Sequence, residues 1–132
     1  MDKSRALIIK DKGVLEYVEL EKPQIRPYEV LYRTQSCSLC TVEQRTYLGT
    51  RNYGYPFLGG HESAGIVEAV GEGVVGFEVG DKVVFTSAYC NQCVYCHTGR
   101  GTQCLLKKKL PKRINFEGSM LGGGLSEYLA IP

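Results

Sequence analysis

The stretch Ala64-Gly65-Ile66-Val67-Glu68-Ala69-Val70-Gly71-Glu72-Gly73-Val74-Val75-Gly76-Phe77-Glu78-Val79-Gly80-Asp81-Lys82-Val83-Val84-Phe85 decides the fold. Its middle, Gly71 to Gly76, matches G-x-G-x-x-G, the glycine pattern of dinucleotide-binding turns. That pattern cradles a pyrophosphate only when a strand precedes it, a helix opens within it and a βαβ unit surrounds it. A strand does precede it, at Ala64 to Val70. On its C-terminal side stands Phe77-Glu78-Val79-Gly80-Asp81, a turn into a second strand at Lys82 to Phe85. The stretch therefore reads as strand, glycine-rich hairpin turn, strand, and no cofactor-binding residue is expected in it.

Short strands continue on both sides. Ala6 to Ile9 and Val14 to Leu20 form a predicted hairpin around Lys12-Gly13. Pro23 and Pro27 interrupt the chain before a third strand at Glu29 to Thr34. One short helix fits between Cys40 and Leu48, with Gly49 as its stop. Glu127 to Ile131 is the last strand. With sixteen glycines marking the turns, the expected class is mainly β, a barrel or sandwich with one or two short helices.

The 132 residues suit one domain, and 43% of them are apolar. No apolar run approaches the ~20 residues that span a bilayer. The run Ala6 to Ile9 is broken at once by Lys10, Asp11 and Lys12, too short for a secretory signal. A cytoplasmic location is expected. A formal charge of +2 argues against nucleic acid or membrane as a partner. Without an export signal the six cysteines stay reduced, and closely spaced thiols then read as metal ligands.

Residues 89–116 lack strand periodicity and hold four of those cysteines. Cys90-x2-Cys93-x2-Cys96-x7-Cys104 offers four thiolates at spacings that converge on one tetrahedral zinc ion. Such a closed shell leaves no position for water or substrate, so the predicted role is structural. An iron centre, a disulfide pair and metal-free cysteines are the other readings. His97 is read as a surface residue beside a shell already complete. Lys107, Lys108, Lys109, Lys112 and Arg113 come next as a solvated basic run that partly offsets the thiolate charge; a nucleic-acid patch is the sharper alternative.

Cys37-x2-Cys40 and Gly60-His61-Glu62 form a second group. A redox Cys-x2-Cys pair belongs in an alternating strand–helix pattern, which this chain lacks. A lone histidine is more often a satisfied core residue than a ligand, yet His61 stands between a glycine and a glutamate, with a strand just after them.

Gly60-His61-Glu62-x2-Gly65-x5-Gly71-x2-Val74 resembles the zinc alcohol dehydrogenase signature. The four-cysteine spacing is similar to the structural-zinc lobe of the same medium-chain dehydrogenase/reductase superfamily. Val79-Gly80-Asp81-Lys82-Val83 and Gly123-Gly124-Leu125-Ser126-Glu127-Tyr128 resemble two further motifs of that family, in the family's order. The resemblance implies a GroES-like β-barrel with a protruding structural-zinc lobe. It implies Cys40 and His61 as catalytic-zinc ligands, and Glu62 as the glutamate next to that zinc. Cys40 is preferred to Cys37 because the family places an acidic residue three positions after its cysteine, and Glu43 stands there. The family's usual aspartate at that position orients the zinc-bound histidine. Cys37 is then expected to sit apart as a packed strand residue. Val42 stands where many members of the family carry a proton-relaying hydroxyl, and Arg45 where some carry a relay histidine.

On this reading residues 1–132 are the N-terminal part of a GroES-like catalytic domain, without the nucleotide-binding domain. The third catalytic-zinc ligand lies outside them. The full-length enzyme would move a hydride between an alcohol or polyol and NAD or NADP, and homo-oligomerisation of it is compatible with the resemblance. The chain alone is expected to bind zinc and to be inactive. The rival reading is a free-standing zinc-binding interaction module with the basic run as its contact surface.

Overall fold

A computed structural model describes residues 2–51, 53–85, 89–110 and 113–132, except the Lys108 side chain. Strand β1 (Lys3–Asp11) alternates outward Lys3 and Arg5 with buried Ser4, Ala6 and Ile8, the period-2 pattern of a half-buried strand. It turns through Lys12-Gly13 into β2 (Val14–Glu21), so the predicted hairpin exists and is longer than expected at both ends. β3 (Val30–Cys37) extends three residues past the predicted Thr34. Helix α1 (Thr41–Leu48) is followed by β4 (Phe57–Leu58), β5 (Ser63–Val70) and β6 (Lys82–Val84). A four-residue helix, α2 (Val94–His97), precedes β7 (Ser119–Met120) and β8 (Tyr128–Ile131).

The strands form two four-stranded sheets, ordered β2-β1-β4-β7 and β6-β5-β3-β8. The chain just before β8 ties them together. Leu7 N–H donates to Leu125 O at 2.8 Å, Glu127 N–H to Arg5 O at 2.9 Å, and Thr34 N–H to Glu127 O at 2.9 Å. One segment thus pairs with β1 of one sheet and β3 of the other, and wraps the sheets around a common interior. That interior holds Ala6, Ile8, Tyr32, Leu58, Phe85, Ile114, Phe116 and Leu129. Each large apolar side chain buried there contributes roughly 1.5–3 kcal/mol of transfer free energy.

Between β5 and β6, residues 71–81 form turns and bends with no helix. The Gly71–Gly76 segment is therefore a strand-to-strand turn. The parallel pair β4–β7 has only two residues per strand and left no periodic trace in the sequence. The cysteine lobe carries α2 and single 3-10 turns at Gly101–Gln103 and Lys107–Lys109. Between 89 and 110 no described residue belongs to the apolar core, and Val94, Leu105 and Leu106 are exposed.

Candidate metal centres

In the lobe the four cysteine sulfurs lie within 4.8 Å of one another. Cys90 Sγ is 3.8 Å and Cys93 Sγ 3.6 Å from Cys96 Sγ. Four sulfurs held at ~2.3 Å around a tetrahedral ion stand ~3.8 Å apart, so this spacing is that of a zinc shell. Backbone N–H groups also aim at the sulfurs. Gln92 and Cys93 donate to Cys90 Sγ at 3.4 and 3.3 Å, and Cys90 donates to Cys104 Sγ at 3.4 Å. Donors to a thiolate favour its charged form. The backbone N–H groups of Cys96 and Leu105 lower the Cys93 thiol to about 6, and that of Cys90 lowers Cys104. Desolvation and its hydrogen bond with Cys93 raise Cys96 to about 12. A cation among the sulfurs would take the place of the proton that Cys96 otherwise keeps.

His97 closes α2 and is exposed. Lys107 and Lys109 are exposed too, and Lys107 Nζ stands 5.6 Å from the Tyr89 ring centroid. Lys112 lies outside the described residues. Arg113 is half-buried, its guanidinium over Phe85 and donating to Gly122 O at 3.1 Å.

The second centre forms where the antiparallel pair β3–β5 ends. The last register pair is Cys37 with Ser63, and Ser38 N–H donates to Glu62 O at 2.9 Å just beyond it. The chain then diverges, one side entering α1 through Cys40, the other arriving through His61. One donor atom each from Cys40, His61 and Glu62 lies within 4.8 Å of the others. Sulfur, imidazole nitrogen and carboxylate oxygen are the donors zinc selects. Cys40 is the N-cap of α1, where the helix dipole favours negative charge. Helix α1 ends at Gly49, whose φ of 72° is the left-handed cap that glycine adopts without strain.

Glu43 is buried on the first turn of α1. Its Oε2 accepts the Cys40 N–H at 2.9 Å and its Oε1 accepts the Gly60 N–H at 2.9 Å. One carboxylate thus ties together the two chain segments that carry the donors. Oε1 also stands 3.6 Å from His61 Nδ1, too far for a hydrogen bond. Nδ1 is buried with no hydrogen-bond partner, an orphaned donor facing a carboxylate. A histidine binding metal through its other nitrogen has this arrangement, with the carboxylate placed to fix its tautomer. Residues and donor chemistry therefore fit zinc at both centres.

Cys37 is not in this group. It is half-buried in β3, its Sγ 3.6 Å from Ser38 O. Burial raises its thiol, and the Glu43 charge raises it further. Val42 and Arg45 lie on α1, Arg45 exposed on its last turn. The Thr41 hydroxyl stands 3.8 Å from Cys40 Sγ.

The segment Gly122-Gly123-Gly124 also shapes the centre. Gly124 N–H donates to Gly60 O at 2.7 Å. A Cβ on Gly122 would stand 2.5 Å from His61 Cα, so backbone packs directly on the histidine's backbone. Gly122 lies just outside the Gly123–Tyr128 motif and yet belongs to this contact; three glycines in succession were the available signal.

No helix among the described residues is long and apolar enough to cross a membrane. The alcohol dehydrogenase GroES-like domain family matches residues 26–132. An alcohol dehydrogenase of Geobacillus stearothermophilus is 34% identical over 131 residues, covering 96% of this chain and 37% of the relative. A sorbitol dehydrogenase of Halalkalibacterium halodurans is 30% identical over 129 residues, with 95% and 36% covered. The solved thermostable alcohol dehydrogenase of Pyrobaculum aerophilum superposes with a TM-score of 0.75 at 31% identity, over 99% of this chain and 39% of that one. The chain thus spans little more than a third of the length of these relatives. Its two sheets, its four-cysteine lobe and its match over most of its length agree: the chain belongs to the alcohol dehydrogenase GroES-like domain family.

Proposed function

We propose that this chain is the catalytic domain of a zinc-dependent, NAD(P)-linked dehydrogenase acting on an alcohol or polyol. The observation that carries the reading is the convergence of Cys40, His61 and Glu62 at the start of α1, with Glu43 behind them. Cys40 and His61 would hold the catalytic zinc, and Glu62 is the carboxylate beside it. Three protein ligands and an open position make zinc a Lewis acid for the oxygen of a substrate alcohol. Glu43 orients His61 and fixes the Cys40 and Gly60 backbones. In the lobe, residues 89–116, Cys90, Cys93, Cys96 and Cys104 form the closed structural site.

Hydride transfer needs a nicotinamide cofactor. The turn at Gly71–Gly76 lacks the helix that a pyrophosphate requires. NAD or NADP would therefore bind a separate coenzyme domain, and the 132-residue chain alone would be inactive. The names of the relatives support the alcohol or polyol class. Calorimetric titration of the chain with NAD and NADP tests the division of labour, with no binding expected. An alcohol-dependent reduction of either cofactor by a longer protein containing this domain, abolished by Cys40→Ser, tests the activity. Clear cofactor binding to residues 1–132, or activity indifferent to Cys40, would overturn the reading.

A further inference from the structure

Gly59 is buried between two buried side chains, Phe57 and Glu43. Its backbone lies outside the left-handed region, so conformation does not demand glycine there. Space does. A Cβ at this position would stand 2.6 Å from Glu43 Oε1, 2.8 Å from Glu43 Cγ and 3.0 Å from Phe57 Cε1. Neither neighbour has room to retreat, since Phe57 is 1% and Glu43 4% exposed. Glu43 is also held at both oxygens, by the Gly60 and Cys40 N–H groups.

We propose that Gly59 is a positioning residue of the Cys40–His61 centre, acting through Glu43, whose side chain occupies the space that any larger residue would fill. The inference rests on the metal-site reading above. Glutamate at position 43 is one methylene longer than the aspartate usual in the family, and Cγ is among the atoms lying closest to Gly59. A residue without a side chain two positions before His61 lets the longer acid reach Gly60 N–H while facing the imidazole. Gly59→Ala would push the carboxylate off that N–H and away from His61 Nδ1. Loss of a carboxylate behind a metal-bound histidine weakens metal binding about 10- to 100-fold.

A double-mutant cycle on the whole 132-residue chain tests this, with the four-cysteine site kept in zinc as a check on folding. Cobalt(II) is titrated into wild type, Gly59→Ala, Glu43→Ala and the double variant, monitoring the thiolate–cobalt absorption that Cys40→Ser removes. Each single variant should bind at least about tenfold more weakly. The double variant should bind no more weakly than Glu43→Ala, because both changes disable one device. An alanine at 59 that leaves affinity within about twofold, or effects that multiply, would overturn the proposal. Amide exchange at Gly60 in the metal-free chain gives a second readout. Its protection should fall in Gly59→Ala as far as in Glu43→Ala, and unchanged protection refutes the proposal. If wild type shows no Cys40-dependent absorption, the metal-site reading fails by itself and Gly60 exchange decides. Should Gly59→Ala not fold, recovery of folded protein in the Glu43→Ala background upholds the proposal, and no recovery overturns it.

Discussion

The β body and the cysteine lobe are stabilised by different physics. The body buries Ile8, Tyr32, Leu58, Ile114 and Leu129 almost completely, in a core shared by two sheets. The lobe between 89 and 110 has no such core among its described residues, and it organises four sulfurs at metal-shell spacing. A segment that buries little apolar surface cannot offset its own ordering entropy. On the proposed reading, metal coordination at the four cysteines supplies what burial does not. The two cysteine sites differ in the same sense: one is closed by four sulfurs, while the other brings three donors from two loop ends.

Removing metal should break this comparison most sharply. Structural zinc in isolated fingers carries ~10–16 kcal/mol of apparent binding energy at neutral pH, coupled to folding. Strong chelation, or Cys93→Ser, should erase amide-exchange protection across residues 89–110 while β1, β2 and β3 stay protected. Equal loss in both regions would make the lobe part of the body's cooperative unit. Truncation in the body should do the converse. Leu129→Ala removes a fully buried side chain and should cost about 2–5 kcal/mol in denaturant melts, with lobe zinc content unchanged.

The smallest effect concerns the seam between the sheets. Arg5 donates through its backbone N–H, Nε and Nη2 to the Glu127 carboxylate. The Arg5 side-chain hydrogen bonds, then its backbone N–H, hold the Glu127 carboxyl below the usual range. A depressed carboxylate stabilises the fold above its unfolded pKa of ~4.3 and loses that contribution as pH falls through the folded value. Both side chains are solvated, so Glu127→Gln should lower the neutral-pH melting temperature by about a degree or two. The difference from wild type should vanish in acid. A difference that grew in acid would contradict the sign.

Much of this was legible in the sequence, for local reasons. Short runs of strand-forming residues between glycine turns exposed β1, β2 and β5, Gly49 marked the end of α1, and cysteine spacing marked the lobe. The β4–β7 pair was illegible because two-residue strands carry no period, and their parallel register depends on distant chain. Cys40 and His61 are 21 positions apart in the chain. What joins them is the β3–β5 register ending at Cys37 and Ser63, which no local pattern announces. The resemblance pointed to both residues, and to Glu43. It did not anticipate the seat that Gly59 leaves for that glutamate, because the absence of a side chain acquires meaning only when a neighbour fills the space.

Zinc content of the purified chain before and after mild chelation tests the central claim most directly, measured on wild type, Cys37→Ser, Cys40→Ser and His61→Ala. Wild type should hold one resistant zinc and one that mild chelator removes, the first at four cysteines and the second at fewer protein ligands. Cys40→Ser and His61→Ala should each abolish only the labile zinc, and Cys37→Ser should leave both. Loss of the labile zinc in Cys37→Ser, or its retention without Cys40, would contradict the account.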